Sequence, residues 1–164
     1  DSSMKEDLKA LLPVIRRFAY SLTGNMADAD DLLQSTIEKI LTKPVPEDVA
    51  LLAWSYRVCR NLWIDEYRAS KVRQAATQQP ELQQASAPDE TAVSDTITLS
   101  QITQAMDKLP NEQREVLALV AVQGMTYQDT ATILSVPSGT VMSRLARART
   151  RLAGLLNLSA GAPA

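Results

Sequence analysis

Histidine is absent from this chain of 164 residues, and cysteine occurs once, at Cys59. Without histidine the chain lacks a common zinc ligand and the general base of Ser-His-Asp and Cys-His catalysis. A single cysteine cannot form an internal disulfide, and the apolar sequence around Cys59 predicts a reduced, buried thiol. Scattered carboxylates remain, which makes an enzyme the weakest interpretation. We expect no metal site and no cofactor.

Long apolar runs are also missing. No stretch approaches the roughly 20 apolar residues that cross a bilayer, and the amino terminus has no signal-peptide pattern. The sequence therefore predicts a soluble, cytoplasmic protein without direct membrane insertion. Strand-like alternation of apolar and polar residues is absent too, since all of the periodicity is helical. The expected fold class is all-α.

Acidic and basic residues nearly balance, giving a formal net charge of −2, but the two signs are unevenly distributed. Residues 76–126 contain seven acids and two bases, whereas residues 127–164 contain one acid and four bases. A chain that is not basic overall does not coat nucleic acid nonspecifically. Any contact with DNA must therefore be local, and weak without help from a partner.

Residues 74–95 are rich in Gln, Ala, Ser and Pro and nearly free of large apolar side chains. Such a segment cannot bury enough surface to fold alone, so we expect a flexible linker. It separates two small helical domains, 1–73 and 96–164, each with a small core that leans on partners. Apolar periodicity predicts helices at about residues 5–22, 26–41, 49–73, 96–108 and 112–124, the second capped by Asn25 and the last by Asn111.

The most informative stretch, residues 126–152, predicts two short helices joined by a tight turn. Thr126 can cap the first helix and Ser138 the second. Pro137 excludes Val136 from the helical region, so the first helix must stop before it. The expected buried face of the first helix comprises Tyr127, Ala131, Ile133 and Leu134.

The second of these helices has two distinct faces. Its apolar seam consists of Val141, Leu145, Ala148, Leu152 and Leu155. About 100° round the helix lie Thr140, Arg144, Arg147 and Arg151. A helix with a buried seam and a Thr/Arg face is typical of a recognition helix in the major groove, where arginines contact guanine or phosphate. The alternative is a solvated basic helix on an ordinary bundle.

A second basic face lies on the helix expected around residues 51–71. Its apolar side consists of Leu51, Leu52, Val58, Cys59 and Leu62. The residues that lie away from this side at helical spacing are Arg57, Asn61, Ile64, Arg68 and Lys71. Four of the seven aromatic residues belong to the same helix: Trp54, Tyr56, Trp63 and Tyr67. Aromatic rings interleaved with arginines suit unstacked bases, and packing in the core is the alternative for these rings.

Residues 27–41, ADADDLLQSTIEKIL, combine an apolar side with an acidic one. The apolar side expected in the core consists of Leu33, Ile37, Ile40 and Leu41. The opposite, polar side consists of Asp31, Gln34, Ser35 and Glu38. Such a face is either solvated or docks on a basic protein surface.

Taken together, these segments resemble the bacterial RNA polymerase sigma factors of the small extracytoplasmic-function (ECF) group. ADADDLLQSTIEKIL is similar to region 2.2 of that family, the helix that docks on the clamp helices of the largest polymerase subunit. LAWSYRVCRNLWIDEYR resembles regions 2.3 and 2.4, which melt and read the −10 element. PSGTVMSRLARAR resembles part of region 4, the reader of the −35 element. The resemblance covers roughly residues 8–73 and 97–156.

The resemblance implies that residues 1–73 form region 2 and residues 96–164 form region 4, and it assigns candidate residues to three surfaces. Polymerase binding is expected at Asp28, Asp31, Gln34, Ser35 and Glu38. The melted −10 strand is expected to contact Lys43, Trp54, Arg57, Arg60, Asn61, Arg68 and Lys71. The duplex −35 element is expected to contact Ser138, Thr140, Met142, Ser143, Arg144, Arg147 and Arg149. The implied partners are core RNA polymerase, promoter DNA and an anti-sigma factor.

The chain departs from the family pattern at several positions. Met142 stands where many relatives carry Lys or Arg, and Ser135 occupies a turn position that is often Gly. Ala146 stands where some relatives have a larger side chain, and Thr130 occupies a usually apolar site. The loop Thr42–Val49, which captures a flipped-out promoter base in this family, is slightly short and contains prolines. These differences predict an altered promoter preference rather than a lost activity.

Two other functions remain open on the sequence alone. A stand-alone helix-turn-helix repressor would bind DNA tightly without polymerase, which a gel shift tests. A sigma mimic that acts as a decoy for an anti-sigma factor would tolerate a ruined recognition helix. The intact face formed by Arg144 and Arg147 argues against such a mimic.

Overall fold

The computed structural model describes residues 2–68, 73 and 98–156, and within these ranges the chain forms helices and no strands. The helices of the amino-terminal half are α1 (Ser2–Thr23), α2 (Met26–Thr42) and α3 (Leu51–Leu62). Those of the carboxy-terminal half are α4 (Leu99–Met106), α5 (Asn111–Leu117), α6 (Tyr127–Leu134) and α7 (Ser138–Leu155). Wider π-helical turns prolong α3 over Trp63–Arg68 and α5 over Ala118–Val122. The all-α prediction is confirmed.

The long helix expected at residues 49–73 begins at Leu51 and is described as far as Arg68. The predicted linker, residues 74–95, lies outside the described residues. Across the described part of the chain, no helix combines the length and the apolar character needed to cross a bilayer.

Side chains close the amino-terminal ends of α2 and α6 as predicted. Asn25 accepts a 2.8 Å hydrogen bond from the Asp28 amide, and Thr126 accepts a 3.0 Å hydrogen bond from the Asp129 amide. The first amides of a helix have no partner within the helix, so each cap satisfies one of them. Both helix starts are therefore fixed by residues within three positions of the cap.

The predicted N-caps Asn111 and Ser138 are wrong by one position. In both cases the preceding proline is the N-cap, and Asn111 and Ser138 are the first residues of α5 and α7. The carbonyls of Pro110 and Pro137 accept the first helical hydrogen bonds at 2.9 to 3.2 Å. Proline fits these caps because its ring fixes φ near the observed −59° and −65°, and its missing amide is not needed at a helix start.

Both halves contribute to one continuous apolar core. α1 packs against α2 and α3, α7 packs against α5 and α6, and α1 and α3 also contact the carboxy-terminal half. Phe18 of α1 and Tyr56 of α3 meet edge to face with ring centroids 4.9 Å apart, a favoured arrangement. Other large side chains in this core are Ile15, Leu22, Leu32, Ile40, Leu109, Val116, Leu119 and Leu145. Each half alone can support only a small core, and each is completed by the other.

Three apolar side chains expected in the core are exposed instead. Leu41 is 48% exposed in the last turn of α2, beside an open groove that Pro44 borders. Tyr127 is 40% exposed in the first turn of α6, where Thr130 takes the buried position. Leu155 is 37% exposed at the end of α7. All three lie in a terminal turn of their helix, where neighbouring helices cover less of the surface. The apolar periodicity of the sequence therefore continues beyond the part of each helix that is packed in the core.

A buried arginine joins the two halves. Arg114 of α5 is 1% exposed; its Nε donates to the Ser21 carbonyl of α1 at 2.8 Å, and its Nη1 lies 2.7 Å from Asp107 Oδ1. Buried charges are stable when they are paired and hydrogen-bonded. The guanidinium therefore depends on both halves for its partners.

Gln123 follows the π-helical turn Ala118–Val122, and its side chain contacts the amino-terminal half. Its Nε2 donates to the Val14 carbonyl at 3.1 Å and to the Tyr56 hydroxyl at 2.8 Å, and its Oε1 accepts from Arg17 Nε at 3.0 Å. Burial raises the pKa of the Tyr56 hydroxyl, outweighing the lowering effects of Gln123 and Arg17. A neutral hydroxyl thus accepts a hydrogen bond across the interface.

Gly24→Ala should lower the free energy of unfolding by about 1 to 2 kcal/mol, the usual cost of a side chain in the left-handed region. Gly24 has φ +86°, and an added Cβ would lie 2.9 Å from Asp107 Oδ1. Urea denaturation followed by circular dichroism measures the change. In the control Gly154→Ala, nothing lies within 4 Å of the added Cβ, and stability should rise by about 0.5 to 1 kcal/mol. Equal stability of Gly24→Ala and wild type would contradict the expected strain.

Candidate nucleic-acid interface

α6, the turn that follows it and α7 form the predicted helix-turn-helix. Ser135 ends α6 with φ +59°, a left-handed conformation that redirects the chain toward Pro137 and α7. Three residues of the predicted α7 seam are fully buried: Val141, Leu145 and Ala148. Leu152 is partly buried against the same core. The seam fixes the orientation of α7 and leaves its opposite face turned outward.

The outward face of α7 carries the residues predicted to contact the −35 duplex. The exposed members are Ser138, Met142, Ser143, Arg147 and Arg149. The partly buried members are Thr140 and Arg144. The face therefore combines hydroxyl groups, guanidinium groups and one exposed thioether, which together can donate to base edges, pair with phosphates and contact an apolar group.

An open groove of about 510 Å³ lies between the middle of α7 and α5. Its α7 side consists of Ala146, Arg147, Thr150 and Arg151, and its α5 side of Gln113. The Gln113 Oε1 atom is buried and has no hydrogen-bond partner among the described residues. Two guanidinium groups at the edge of one groove suit a phosphate, because arginine matches phosphate geometry.

The arginines of α3 that were predicted to contact the −10 strand point to the carboxy-terminal half. Arg57 binds the end of α6, and Arg60 Nε lies 2.8 Å from Glu115 Oε1 of α5. Arg60 Nη1 also donates to Asn61 Oδ1 at 3.0 Å. The Arg68 side chain and Lys71 lie outside what the structure describes. Three predicted −10 residues are thus engaged within the protein itself.

The aromatic residues of α3 and its continuation are mainly core residues. Tyr56 is 1% exposed and Trp63 is 2% exposed, so packing explains both rings. The Tyr67 side chain lies outside what the structure describes. Trp54 differs, because it is only partly buried and its indole Nε1 has no hydrogen-bond partner among the described residues.

Trp54 borders a cavity of about 240 Å³ between α2, the loop that follows it and α3. The other lining residues are Lys39, Lys43, Val58, Asn61, Leu62 and Asp65. The cavity brings together three predicted residues, Lys43, Trp54 and Asn61. Lys39 and Asp65 were not predicted from the sequence, and each lies four residues from a predicted residue. Ammonium, amide, carboxylate and indole N–H groups around one cavity suit a planar polar ligand.

The acidic side of α2 faces outward. Asp31, Gln34 and Glu38 are exposed, and Ser35 is partly buried. Asp28 is engaged locally, since its carboxylate accepts a 2.9 Å hydrogen bond from the side chain of the cap residue Asn25. The opposite side of α2 is buried through Ala29, Leu32, Thr36 and Ile40. The exposed carboxylates can therefore meet a basic surface.

Cys59 should react very slowly with iodoacetamide in the folded protein. Burial raises the pKa of its thiol to about 12, outweighing the opposite effect of a hydrogen bond with Thr36. The thiolate is the reactive form. At about pH 8 we expect alkylation on the order of a hundredfold slower than in denaturant, measured by mass spectrometry. Equally fast labelling of the folded chain would contradict the buried position.

The same pKa shift links stability to pH. The folded-state pKa is above the unfolded value of about 8.5, so the unfolded chain loses the proton first as pH rises. The contribution of Cys59 is therefore fully present below about pH 8.5 and decreases as pH rises toward the folded value. In Cys59→Ala, the part of the decrease in the free energy of unfolding at alkaline pH that comes from Cys59 should disappear.

Two family models match the chain. The Sigma-70 region 2 model matches residues 8–73, and the Sigma-70, region 4 model matches residues 99–152. Together the two matches cover the majority of the sequence.

Individual relatives agree with the family models. The ECF RNA polymerase sigma factor EcfG of Rhodopseudomonas palustris is 37% identical over 158 residues, which cover 94% of this chain and 85% of the relative. The ECF RNA polymerase sigma factor SigM of Mycobacterium tuberculosis is 35% identical over 144 residues, covering 87% and 71%. The sigma factor RpoE from Bartonella quintana, solved in complex with the anti-sigma factor NepR, is 30% identical with a TM-score of 0.74. That match covers 96% of this chain and 98% of the RpoE chain.

Proposed function

This chain belongs to the ECF group of RNA polymerase sigma factors, and on that premise we propose that it binds core RNA polymerase and directs it to initiate transcription at specific promoters. The observation that carries the proposal is the occurrence of sigma-70 regions 2 and 4 in one helical chain. We further propose that the chain acts in the cytoplasm as a dissociable initiation subunit without enzymatic activity of its own.

Region 4 is proposed to read the −35 duplex with the outward face of α7. A recognition helix contacts base edges mainly through its amino-terminal turns, and here these turns carry Thr140, Met142, Ser143 and Arg144. Met142 and Ser143 are exposed and Thr140 and Arg144 are partly buried, and the exposure of the first two supports the proposal. An exposed methionine favours contact with a thymine methyl group over a hydrogen bond to a base. Met142 therefore gives this chain a preference different from that of relatives with a cation there.

Region 2 is proposed to hold the melted −10 strand, with one unstacked base in the cavity beside Trp54. A cavity of roughly 150 Å³ is enough for benzene, so about 240 Å³ leaves room for one base. Lys43, Asn61 and the Trp54 indole N–H would donate hydrogen bonds to it. Unstacking a base costs a few kcal/mol, and stacking on a side chain returns about 1 to 3 kcal/mol. Promoter melting therefore requires additional contacts from polymerase.

Docking on polymerase is proposed at the acidic side of α2, through Asp31, Gln34 and Glu38. Their exposure supports the proposal, because carboxylates at a surface can meet a basic partner without reorganisation. With a formal net charge of −2, the free chain should bind DNA weakly. Polymerase docking would then be the step that makes promoter binding strong.

Control by an anti-sigma factor is also proposed. The sigma factor RpoE from Bartonella quintana, 30% identical to this chain, was solved in complex with the anti-sigma factor NepR. An anti-sigma factor bound to this chain would compete with polymerase for it. Affinity purification of the chain from cells should therefore recover either polymerase subunits or a small regulatory protein.

Run-off transcription with core RNA polymerase tests the proposed function. The purified chain and core polymerase from the same source are expected to give promoter-specific transcripts from a genomic library. Core polymerase alone and the chain alone are the controls. The complete absence of such transcripts would refute the proposal. Tight binding of the free chain to duplex DNA in a gel shift would favour a stand-alone repressor instead.

A further inference from the structure

Met142 is the one methionine of α7, and its thioether lies on the outward face of that helix. The side chain is 48% exposed. Among the other methionines that the structure describes, Met26 is almost equally exposed, at 45%, and Met106 is buried. Met4 and Met125 are partly buried. Met142 is therefore the methionine that combines high exposure with a position on the proposed DNA-binding helix.

The neighbours of Met142 on the surface of α7 leave its sulfur accessible. Residues three and four positions apart lie side by side on a helix, which places Ser138, Gly139 and Ala146 beside Met142. None of these side chains is long enough to cover a thioether. Beyond the backbone of α7 and the residues that flank Gly139, no described atom lies within 4 Å of a Cβ added there. The fourth neighbour, Leu145, is buried in the core.

The one cysteine of the chain does not compete for a small oxidant. Cys59 is fully buried, and oxidation of cysteine depends on exposure and on the thiolate form. A peroxide that meets the folded chain therefore reaches the exposed methionines first. Its expected product at Met142 is the sulfoxide.

Oxidation changes what Met142 offers to a base edge. The sulfur lone pair attacks one peroxide oxygen, an S–O bond forms as the O–O bond breaks, and proton transfer to the other oxygen releases water. Sulfur loses two electrons and the peroxide gains them. The resulting sulfoxide is polar and chiral, and its oxygen accepts hydrogen bonds but donates none. Thymine presents a methyl group and an acceptor oxygen in the major groove, so neither suits the sulfoxide oxygen.

We propose that Met142 is a peroxide-sensitive modification site whose oxidation to the sulfoxide weakens binding of α7 to the −35 duplex. The inference rests on the proposed function, in which Met142 lies in the amino-terminal turns of a recognition helix. The fold is unaffected, because the thioether lies outside the core. Methionine sulfoxide reductases reverse the modification, so the loss of promoter binding is reversible.

A partly oxidised sample tests the proposal within one mixture. The full chain is treated with hydrogen peroxide until Met142 is partly converted, catalase removes the peroxide, and untreated core RNA polymerase is added to form holoenzyme. A limiting amount of immobilised promoter DNA, from a promoter that the untreated holoenzyme transcribes, then divides the holoenzyme into bound and unbound fractions. Mass spectrometry measures the sulfoxide at each methionine in both fractions.

The sulfoxide at Met142 should be depleted about fivefold or more in the DNA-bound fraction, the effect of an unpaired polar group in an interface. Met26 is the internal control, because it is almost equally exposed but belongs to α2. Its sulfoxide should be equally abundant in both fractions of the assembled holoenzyme. Met106 should stay unoxidised, since it is 5% exposed in the folded chain. Treating the unbound fraction with the reductases should restore its binding.

Met142→Leu is the matched variant, because leucine keeps an apolar side chain and removes the sulfur. Whatever its affinity before treatment, peroxide should leave that affinity unchanged, whereas Met26→Leu should lose affinity like the wild-type chain. Both substitutions are at exposed positions, where changes in stability are small.

Equal amounts of Met142 sulfoxide in the two fractions would overturn the proposal, and so would oxidation of Met26 without oxidation of Met142. Equal depletion of both sulfoxides would also refute it, since the effect would not be specific to α7. Failure of the proposed function is distinguishable, because it appears before any oxidation. In that case the untreated holoenzyme would neither bind nor transcribe any promoter, and this inference would fall with it.

Discussion

Replacing Arg114 by methionine should lower the free energy of unfolding by about 2 to 4 kcal/mol, close to the range for removing one partner of a buried ion pair. The guanidinium is 1% exposed, lies 2.7 Å from Asp107 Oδ1 and donates to the Ser21 carbonyl at 2.8 Å. Methionine keeps an unbranched stem but removes the donor and the cation. Because the Asp107 side chain is 31% exposed, water can rehydrate it, which keeps the expected loss below that of a fully buried pair.

Arg16→Met is the matched control, because Arg16 forms the same kind of ion pair at the surface. Its Nε lies 2.8 Å from Asp30 Oδ1, but the two side chains are 48% and 52% exposed. Exposed ion pairs contribute about 0 to 1 kcal/mol. Urea denaturation of both variants should therefore separate them clearly. Equal losses would show that burial is not the source of the Arg114 contribution.

Local features are what the sequence predicts best in this chain. The caps Asn25 and Thr126 and the turn before Pro137 depend on residues a few positions apart, and the structure confirms all three. The corrections at Asn111 and Ser138 are shifts of one residue, because a proline occupies the cap in both cases. Short-range hydrogen bonding and proline geometry are properties of the sequence itself.

The contacts between the halves could not be predicted from the sequence. Arg57 and Ser135 are separated by 78 positions, and Arg60 and Glu115 by 55. A charged residue on an amphipathic helix is normally solvated, and nothing in its neighbours identifies a distant partner. The burial of Arg114 depends in the same way on how α1 and α5 pack. The prediction that Arg57 and Arg60 contact DNA therefore could not include these partners within the chain.

Only part of the candidate −10 site could be predicted from the sequence, because the rest depends on how the helices pack. Lys43, Trp54 and Asn61 belong to α3 or to the loop before it, and the structure places them around one cavity. Lys39 joins them only because α2 packs against α3. Trp63 shows what composition alone cannot distinguish. An aromatic residue beside arginines is as compatible with packing in the core as with stacking on bases.

Arg147→Glu should reduce run-off transcription from a −35-dependent promoter by about 10-fold or more, since it removes an arginine contact to DNA and the reversed charge adds repulsion from phosphates. Arg147 is exposed, so the substitution should change the free energy of unfolding by less than about 0.5 kcal/mol. Lys9→Glu is the matched control, because it makes the same charge change on α1, which carries none of the proposed contacts. Initiation that Arg147→Glu leaves unchanged would remove this residue from the DNA interface.

Arg147→Ala then distinguishes the two contacts that this side chain can make. A contact to guanine would relax base preference at one −35 position by about 1 to 3 kcal/mol, whereas a contact to phosphate would weaken all −35 sequences alike and reduce the salt slope by about 1. Arg147 shares the groove between α7 and α5 with Arg151. Two guanidinium groups side by side fit one phosphate better than they fit one base edge, so we expect uniform weakening and a smaller salt slope.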